Sequence, residues 1–239
     1  MKITIIETGL APATIRNDFP TYPEMFEALI GGADEGLSFE TVRLELGDTL
    51  PDPESLDGIL ITGSAHGVYD PVPWMTSLME FIGWAAEKRV PLAGLCFGHQ
   101  AMAKALGAHV AKSDKGWGIG RHTYDVPHKP AWMSDAPDRI TFGVSHQDQV
   151  LSLPPGARVT ATNEFCEFAG LEYTHAPAMS FQGHPEFSDD FFAALYRARQ
   201  GNPLEPAAVA TAVRSLDEEH HNEDAGRWLA DFYRLNSRQ

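Results

Sequence analysis

A cysteine with a glycine two residues to either side stands at Gly94-Leu95-Cys96-Phe97-Gly98. Cysteine acts as a nucleophile when it is held as thiolate beside a proton acceptor, usually histidine, that a third group orients. Gly-x-Cys-x-Gly has the form of a nucleophile elbow, a sharp turn in which side chains at the two glycine positions would collide. The competing reading is a core cysteine, since free Cys is among the most buried residue types. Glycines at such a junction cost conformational entropy unless the backbone needs them, which favours the nucleophile. The chain has 10 histidines, and His184 stands apart. In Gly183-His184-Pro185-Glu186-Phe187, Pro185 stiffens the turn. Glu186 can reach the far ring nitrogen, fix its tautomer and stabilise its charged form. His66 and His146 lie in loops able to face the cysteine. His99 belongs to the turn after it. His109, His122, His128, His175, His220 and His221 read as surface or packing residues. A metal pair of His220 and His221 is disfavoured because adjacent helical residues point apart, and no metal is expected.

These groups need elements to position them. Val90 to Ala93 is a short apolar strand. Ala101 to Leu106 is rich in helix formers and closes at Gly107, a C-cap. The cysteine thus sits at a strand-to-helix turn, where the N–H groups of a helix starting at Phe97 point at the sulfur and favour thiolate. Upstream, Lys2 to Glu7 is a β-branched central strand and Gly9 to Pro20 a loop. Tyr22 to Ile30 is a helix ending at Gly31-Gly32, and Phe39 to Leu46 alternates as a half-buried strand. Asp57 to Thr62 is a short strand running into a glycine-bearing loop at Gly63-Ser64. Trp74 to Lys88 is an amphipathic helix. This alternation predicts a flavodoxin-like, doubly wound α/β fold, with a mostly parallel sheet and helices on both faces. Ligands bind at the carboxyl ends of such strands, so the Gly63 loop and Cys96 are expected neighbours.

After Gly107 the texture changes. His109 to Lys112, Gly118 to Val126, Arg139 to Val144, Arg158 to Thr162, Glu167 to Tyr173 and Ala178 to Phe181 read as short strands between turns, a small antiparallel subsheet among them. From Ser188 the chain is helical. Its three apolar stripes are Phe191, Phe192, Leu195 and Tyr196; Val209, Val213 and Leu216; and Trp228, Leu229, Phe232, Tyr233 and Leu235. Asp217 to Asp224 reads as a solvated connector or helix face. The expected division is a catalytic part at 1–187 and a helical extension at 188–239 packed on the same domain.

Composition limits the function classes. Over 239 residues the hydrophobic content is 43%, enough for a sizeable core, and the formal net charge of −15 argues against binding a nucleic-acid backbone. Two cysteines make no disulfide framework, which fits a reducing cytoplasm. No run approaches a membrane span, and Met1 leads straight into a strand pattern rather than a signal peptide.

Gly94-Leu95-Cys96-Phe97-Gly98-His99-Gln100 and Phe181-Gln182-Gly183-His184-Pro185-Glu186 resemble the nucleophile and His-Pro-Glu stretches of the class I glutamine amidotransferase family, in the style of the stand-alone group similar to the amidotransferase domain of GMP synthase. Ile61-Thr62-Gly63-Ser64 is similar to the family's oxyanion loop, with Ser64 where many members have a second glycine. Gly183 stands where a bulky residue is commoner. The likeness covers Lys2 to Phe187. It implies a Cys96, His184, Glu186 triad that cleaves the γ-amide of glutamine, or another γ-glutamyl amide, through a thioester. The backbone N–H groups of Phe97 and the Gly63-Ser64 loop would meet the oxyanion. It also implies that Gln100 lines the glutamine pocket, and that Ser145, His146 and Gln147, with Asp148, lie beside the α-amino and carboxylate groups. No cofactor is implied. Gly116-Trp117-Gly118-Ile119-Gly120 lacks a following helix and reads as a turn, not a phosphate loop.

Several functions keep this set of residues. Either a separate synthetase subunit receives the ammonia, since no ATP-binding domain fits in the chain, or the enzyme only hydrolyses. A γ-glutamyl peptide or γ-glutamyl amine hydrolase would use the same triad with a wider leaving-group pocket. A cysteine peptidase or chaperone of the related Cys-elbow superfamily would take its histidine beside the nucleophile, at His99. A non-catalytic binding module has no need of all three groups. The helical tail is left to cover a sheet edge, form a homodimer contact or dock a synthetase.

Overall fold

The computed structural model describes residues 1–237. In chain order its elements are β1 (Lys2–Glu7), α1 (Tyr22–Ala33), β2 (Ser38–Arg43), β3 (Gly58–Ile61), α2 (Met75–Glu87), β4 (Leu92–Leu95) and α3 (Phe97–Ala105). There follow β5 (Val110–Lys112), β6 (Gly118–Asp125), β7 (Arg139–His146), β8 (Asp148–Val150), β9 (Ala157–Ala161), β10 (Gly170–Tyr173), β11 (Ala178–Phe181), α4 (Asp189–Ala198), α5 (Pro206–Ser215) and α6 (Asn222–Leu235). A 7-stranded sheet runs β2-β1-β3-β4-β11-β10-β9. The first five strands in that order are mutually parallel, and β10 is antiparallel to both its neighbours. β5–β8 and β6–β7 form separate antiparallel pairs. The fold is the doubly wound, mostly parallel α/β arrangement.

The strands β3, β4 and β11 are buried at every residue, as befits parallel strands covered on both faces. Their side chains alternate between two cores. Leu60, Ala93, Leu95, Met179 and Phe181 face Phe26 of α1 and Trp228, Phe232 and Tyr233 of α6. Ile59, Ile61, Leu92 and Ala178 face Leu78, Phe81 and Ile82 of α2 and Phe97 and Met102 of α3. β4 lies between β3 and β11, with Gly94 opposite Ile61 and Ser180. The residue after β4 therefore emerges mid-sheet, flanked by the loops that leave β3 and β11.

The tail packs on this body through a third cluster, in which Phe187, Phe191, Phe192, Leu195 and Tyr196 meet Ile15, Tyr22 and Met25. The Tyr196 hydroxyl donates to Val144 O at 2.6 Å and accepts from Gly120 N at 2.9 Å, tying α4 to β6 and β7. α6 crosses α1 closely at Gly226, where a Cβ would lie 2.8 Å from Leu29 O.

Several sequence expectations are corrected. α1 does not end at Gly31-Gly32 but continues through both to Ala33. Its Thr21 and Glu24 capping box and its packed face outweigh two poor helix formers. β2 stops at Arg43, and Leu44–Leu46 form a 3-10 turn closed by Gly47 at φ 96°. The cysteine-proximal strand begins at Leu92, later than Val90. β9 and β10, expected beside the small antiparallel strands, extend the main sheet. β8 is too short to carry a strand pattern of its own in the sequence. The acidic connector yields its last residues to the first turn of α6, and Leu235 of the third stripe is exposed.

The glycines around the β4–α3 turn differ from those in α1. A Cβ on Gly98 would lie 2.3 Å from Ile61 O and one on Gly94 2.6 Å from Gly98 O, whereas one on Gly32 meets nothing within 4 Å. Gly98→Ala is expected to lower unfolding free energy by about 3 kcal/mol, and Gly32→Ala to raise it by about 0.5–1 kcal/mol. Urea titrations of the two variants check both signs.

Candidate functional site

Cys96 joins β4 to α3 with φ 52° and ψ −102°. Among the described residues, Arg89 is the other non-glycine at positive φ. Such a conformation costs on the order of 1–3 kcal/mol and persists where the surroundings over-determine it. Here they do. Cys96 N donates to Phe181 O at 2.9 Å, Gln100 N donates to Cys96 O at 3.0 Å, and Gly98 N donates to Thr62 O at 3.2 Å. The turn is thus bonded to the strand ends on both sides.

His184 follows β11, its N–H donating to Gly143 O at 2.9 Å. Its ring stacks on Phe187 at 4.1 Å between centroids. Nδ1 is 2.7 Å from Glu186 Oε1, and the imidazole is hydrogen-bonded to Cys96. Burial disfavours the charged ring, but Cys96 and Glu186 outweigh it and push His184 up to about 10. Glu186 Oε2 is buried without a partner among the described residues, so the adjacent imidazolium is the charge that compensates this carboxylate.

The loop after β3 closes on the same pair. A Cβ on Gly63 would sit 2.9 Å from His184 Cε1 and 3.8 Å from Cys96 Cβ, so only glycine fits. Thr8 Oγ1 donates to Thr62 O at 3.0 Å and Gly63 O at 3.3 Å, and Thr62 Oγ1 reaches Gly63 O at 3.1 Å. In a planar trans peptide the N–H opposes the carbonyl. Holding Gly63 O against these hydroxyls therefore turns the Ser64 N–H the opposite way. Phe97 opens α3, where a first-turn N–H has no intrahelical acceptor.

A pocket of about 190 Å³ opens beside Cys96, and Ser64, Gln100, Ser145, His146 and Gln147 all line it. Gln100 spends its amide nitrogen on Asp148 O at 2.8 Å and Gln182 Oε1 at 3.1 Å. Ser145 Oγ accepts from Arg199 at 2.8 Å. His146 Nδ1 is 3.1 Å from Asp148 O, and burial pulls its pKa to about 3, leaving it neutral. Gly63, Phe97, His184 and Glu186 lie behind Cys96, outside the lining. His66 sits at the rim, near Glu45 and Asp70. His99, the alternative base, is fully buried, bonded to Ser180 Oγ at 2.8 Å and pulled by burial to about 3. It does not serve Cys96. A larger groove of about 850 Å³, lined by Leu44, Trp74, Phe81 and Trp84, contains neither cysteine nor histidine among its lining residues.

Sequence reasoning passes over Tyr69, Asp70, Trp117 and Arg199, which also line the pocket. Trp117 lies in the turn between β5 and β6, where Gly116 takes φ 80°. Arg199 comes from the helical tail, and nothing in its neighbours distinguishes it from a surface arginine. Thr8, between the first strand and the loop after it, gives no signal in the sequence.

The family model "Glutamine amidotransferase class-I" matches residues 33–194. The chain is 27% identical to gamma-glutamyl peptidase 4 of Arabidopsis thaliana, over 82% of this chain and 80% of that one. It is 30% identical to a glutamine-hydrolyzing GMP synthase subunit of Archaeoglobus fulgidus, over 67% of this chain and 84% of that one. The crystal structure of a glutamine amido transferase from Methylobacillus flagellatus superposes with a TM-score of 0.77 at 23% identity, covering 100% of this chain and 96% of that one. That likeness concerns the fold.

Two buried histidines, His99 and His146, and the half-buried His122 make stability pH-dependent. Burial pulls His99 and His146 to about 3 and His122 to about 4. The unfolded chain takes up these protons below about 6.5 and the folded chain does not. Each therefore subtracts about 1.4 kcal/mol per pH unit as pH falls from 6.5 towards 4. His184, raised rather than lowered, acts only on the alkaline side. Denaturation midpoints followed from pH 7 to 4.5 are expected to fall, and His99→Gln to make the slope shallower by one proton. An unchanged slope contradicts this assignment.

Proposed function

The chain belongs to the class I glutamine amidotransferase family, and on that premise we propose that it hydrolyses the γ-amide of glutamine or a related γ-glutamyl compound through a thioester on Cys96. The observation that carries this reading is the buried line from the Cys96 thiol through the His184 ring to Glu186, set beside the pocket.

In this mechanism the Cys96 sulfur attacks the γ-carbonyl as a thiolate, its proton already residing on His184. The carbonyl oxygen becomes an oxyanion and accepts hydrogen bonds from the N–H groups of Phe97 and of the Gly63-Ser64 loop, an effect typically worth a few kcal/mol. His184, held protonated between Cys96 and Glu186, hands its proton to the departing nitrogen as the C–N bond breaks. The neutral ring then takes a proton from water, which attacks the thioester and releases glutamate, restoring the Cys96 thiolate beside the protonated His184. Glu186 keeps Nδ1 protonated throughout and so fixes which nitrogen faces the sulfur.

Two readings of the leaving group remain, each with support. Similarity to a gamma-glutamyl peptidase over 82% of the chain favours a γ-glutamyl peptide or amine, released as a free amine. Similarity to a glutamine-hydrolyzing GMP synthase subunit favours ammonia delivered to a separate synthetase subunit. Glutamate release from glutamine and from γ-glutamyl dipeptides, measured side by side, separates them.

Cys96→Ala and His184→Ala are each expected to lower kcat by at least about 10³-fold, and Glu186→Gln by about 10²-fold or more. Steady-state assays with folded variants check this. Full activity in His184→Ala would remove the base from the scheme.

A further inference from the structure

Arg199 caps the C-terminus of α4. Its Nη1 donates to Ser145 Oγ at 2.8 Å, and its guanidinium carbon lies 5.8 Å from the Trp117 ring centroid. All three residues line the pocket that holds Cys96. The chain carries 33 acidic against 18 basic residues, yet among the described residues no carboxylate pairs with Arg199, and its Nε and Nη2 make no protein hydrogen bond. A guanidinium stacked on an indole and pinned at one nitrogen keeps its fork oriented with little further ordering. Left without a counter-ion in a concave site, it is a ready partner for a carboxylate, which it can bind through two parallel N–H bonds.

The rest of the pocket has the opposite sign. Asp70 and Asp148 line it, Asp70 accepting from Gly67 N at 2.8 Å and Asp148 from the Tyr69 hydroxyl. Lys112 is also on the lining but is exposed. One oriented cation and two carboxylates around a compact space match the head group of a free amino acid, with its carboxylate and its ammonium.

We infer that Arg199 receives the free α-carboxylate of the γ-glutamyl group, so that the site takes free glutamine and γ-glutamyl compounds and rejects glutamine side chains within a polypeptide. In a polypeptide that carboxylate is an amide, which has no charge to set against the guanidinium. Ser145 is then a positioning residue acting through Arg199. The inference rests on the γ-glutamyl hydrolase reading for its substrate, but the carboxylate site has its own test.

Two measurements on the full chain decide it. L-Glutamate and its α-amide, titrated by calorimetry, are expected to differ by at least about 30-fold in affinity, glutamate binding tighter. Arg199→Met removes that preference. Trp117→Leu, which removes the stack but not the charge, weakens glutamate and keeps the preference. Steady-state kinetics on γ-glutamyl-4-nitroanilide and its α-amide supply the second readout. Arg199→Met is expected to raise KM for the acid by about 100-fold with little change in kcat, and to leave kcat/KM for the α-amide unaltered. Equal wild-type affinity for glutamate and its α-amide, or an equal loss on both substrates in Arg199→Met, overturns the assignment. Selective glutamate binding without turnover of any γ-glutamyl substrate removes the hydrolase reading and leaves the carboxylate site standing. Turnover without acid-over-amide preference does the reverse.

Discussion

The site depends on how closely the β4–α3 turn is clamped to its neighbours. Cys96 holds φ 52° because its amide is bonded to β11 while the first turn of α3 is bonded to the end of β3. The clamp closes only if Gly94 and Gly98 lack side chains, since a Cβ on either would meet backbone atoms at 2.6 Å or less. The same contact that forbids a side chain at Gly98 brings Thr62, and with it Gly63, against the cysteine. Cys96, the Gly63 loop and His184 are thus not placed independently. Three adjacent parallel strands, β3, β4 and β11, deliver them at one end of the sheet in fixed register, as expected for doubly wound sheets.

Charge is arranged on that frame by burial and pairing. Besides His66 at the rim, four more deeply set histidines lie in or near the site, and burial alone would keep each of these neutral. It does so for His99, His122 and His146, which lack a carboxylate partner. His184 goes the other way because Glu186 is 2.7 Å from one nitrogen and Cys96 is bonded to the ring. One carboxylate and one sulfur decide which imidazole carries a proton at neutral pH. Among the described histidines that ring is the one paired with both Cys96 and Glu186, which is the arrangement the proposed proton transfer to a departing nitrogen requires. The tail adds a cation to the pocket through Arg199, at the end of α4, whose Phe191 and Phe192 meet Tyr22, Phe187 and His184 edge-on.

Much of this was legible in the residues, unevenly so. β1 and β11 fall at their expected bounds, since β-branched and apolar runs between turn residues have one sensible reading. The Gly-x-Cys-x-Gly spacing located the turn because close backbone approach leaves no substitute for glycine. His-Pro-Glu foretold the His184–Glu186 pairing because the two residues are local in sequence. What failed to show was set by tertiary contact. Gly31 and Gly32 look like a helix end, yet packing and the Thr21 cap carry α1 past them. His99, the base of the alternative peptidase reading, stays open in the sequence until Ser180 of β11 is found paired with its Nδ1. Thr8 and Arg199 reach the site from distant elements, and no local pattern marks a residue whose role depends on where a loop or helix end comes to rest.

The central claim is that Cys96 carries the γ-glutamyl group during the reaction. The direct measurement is intact-protein and peptide mass spectrometry after acid quenching of the full chain mixed with glutamine or a γ-glutamyl amide. The account predicts a γ-glutamyl adduct on the Cys96 peptide, absent from the peptide of Cys166, the other cysteine and also buried. It should be abolished in Cys96→Ala and prolonged in His184→Ala when a substrate with a good leaving group is supplied. Turnover with no adduct at Cys96, or turnover undiminished in Cys96→Ala, would contradict it.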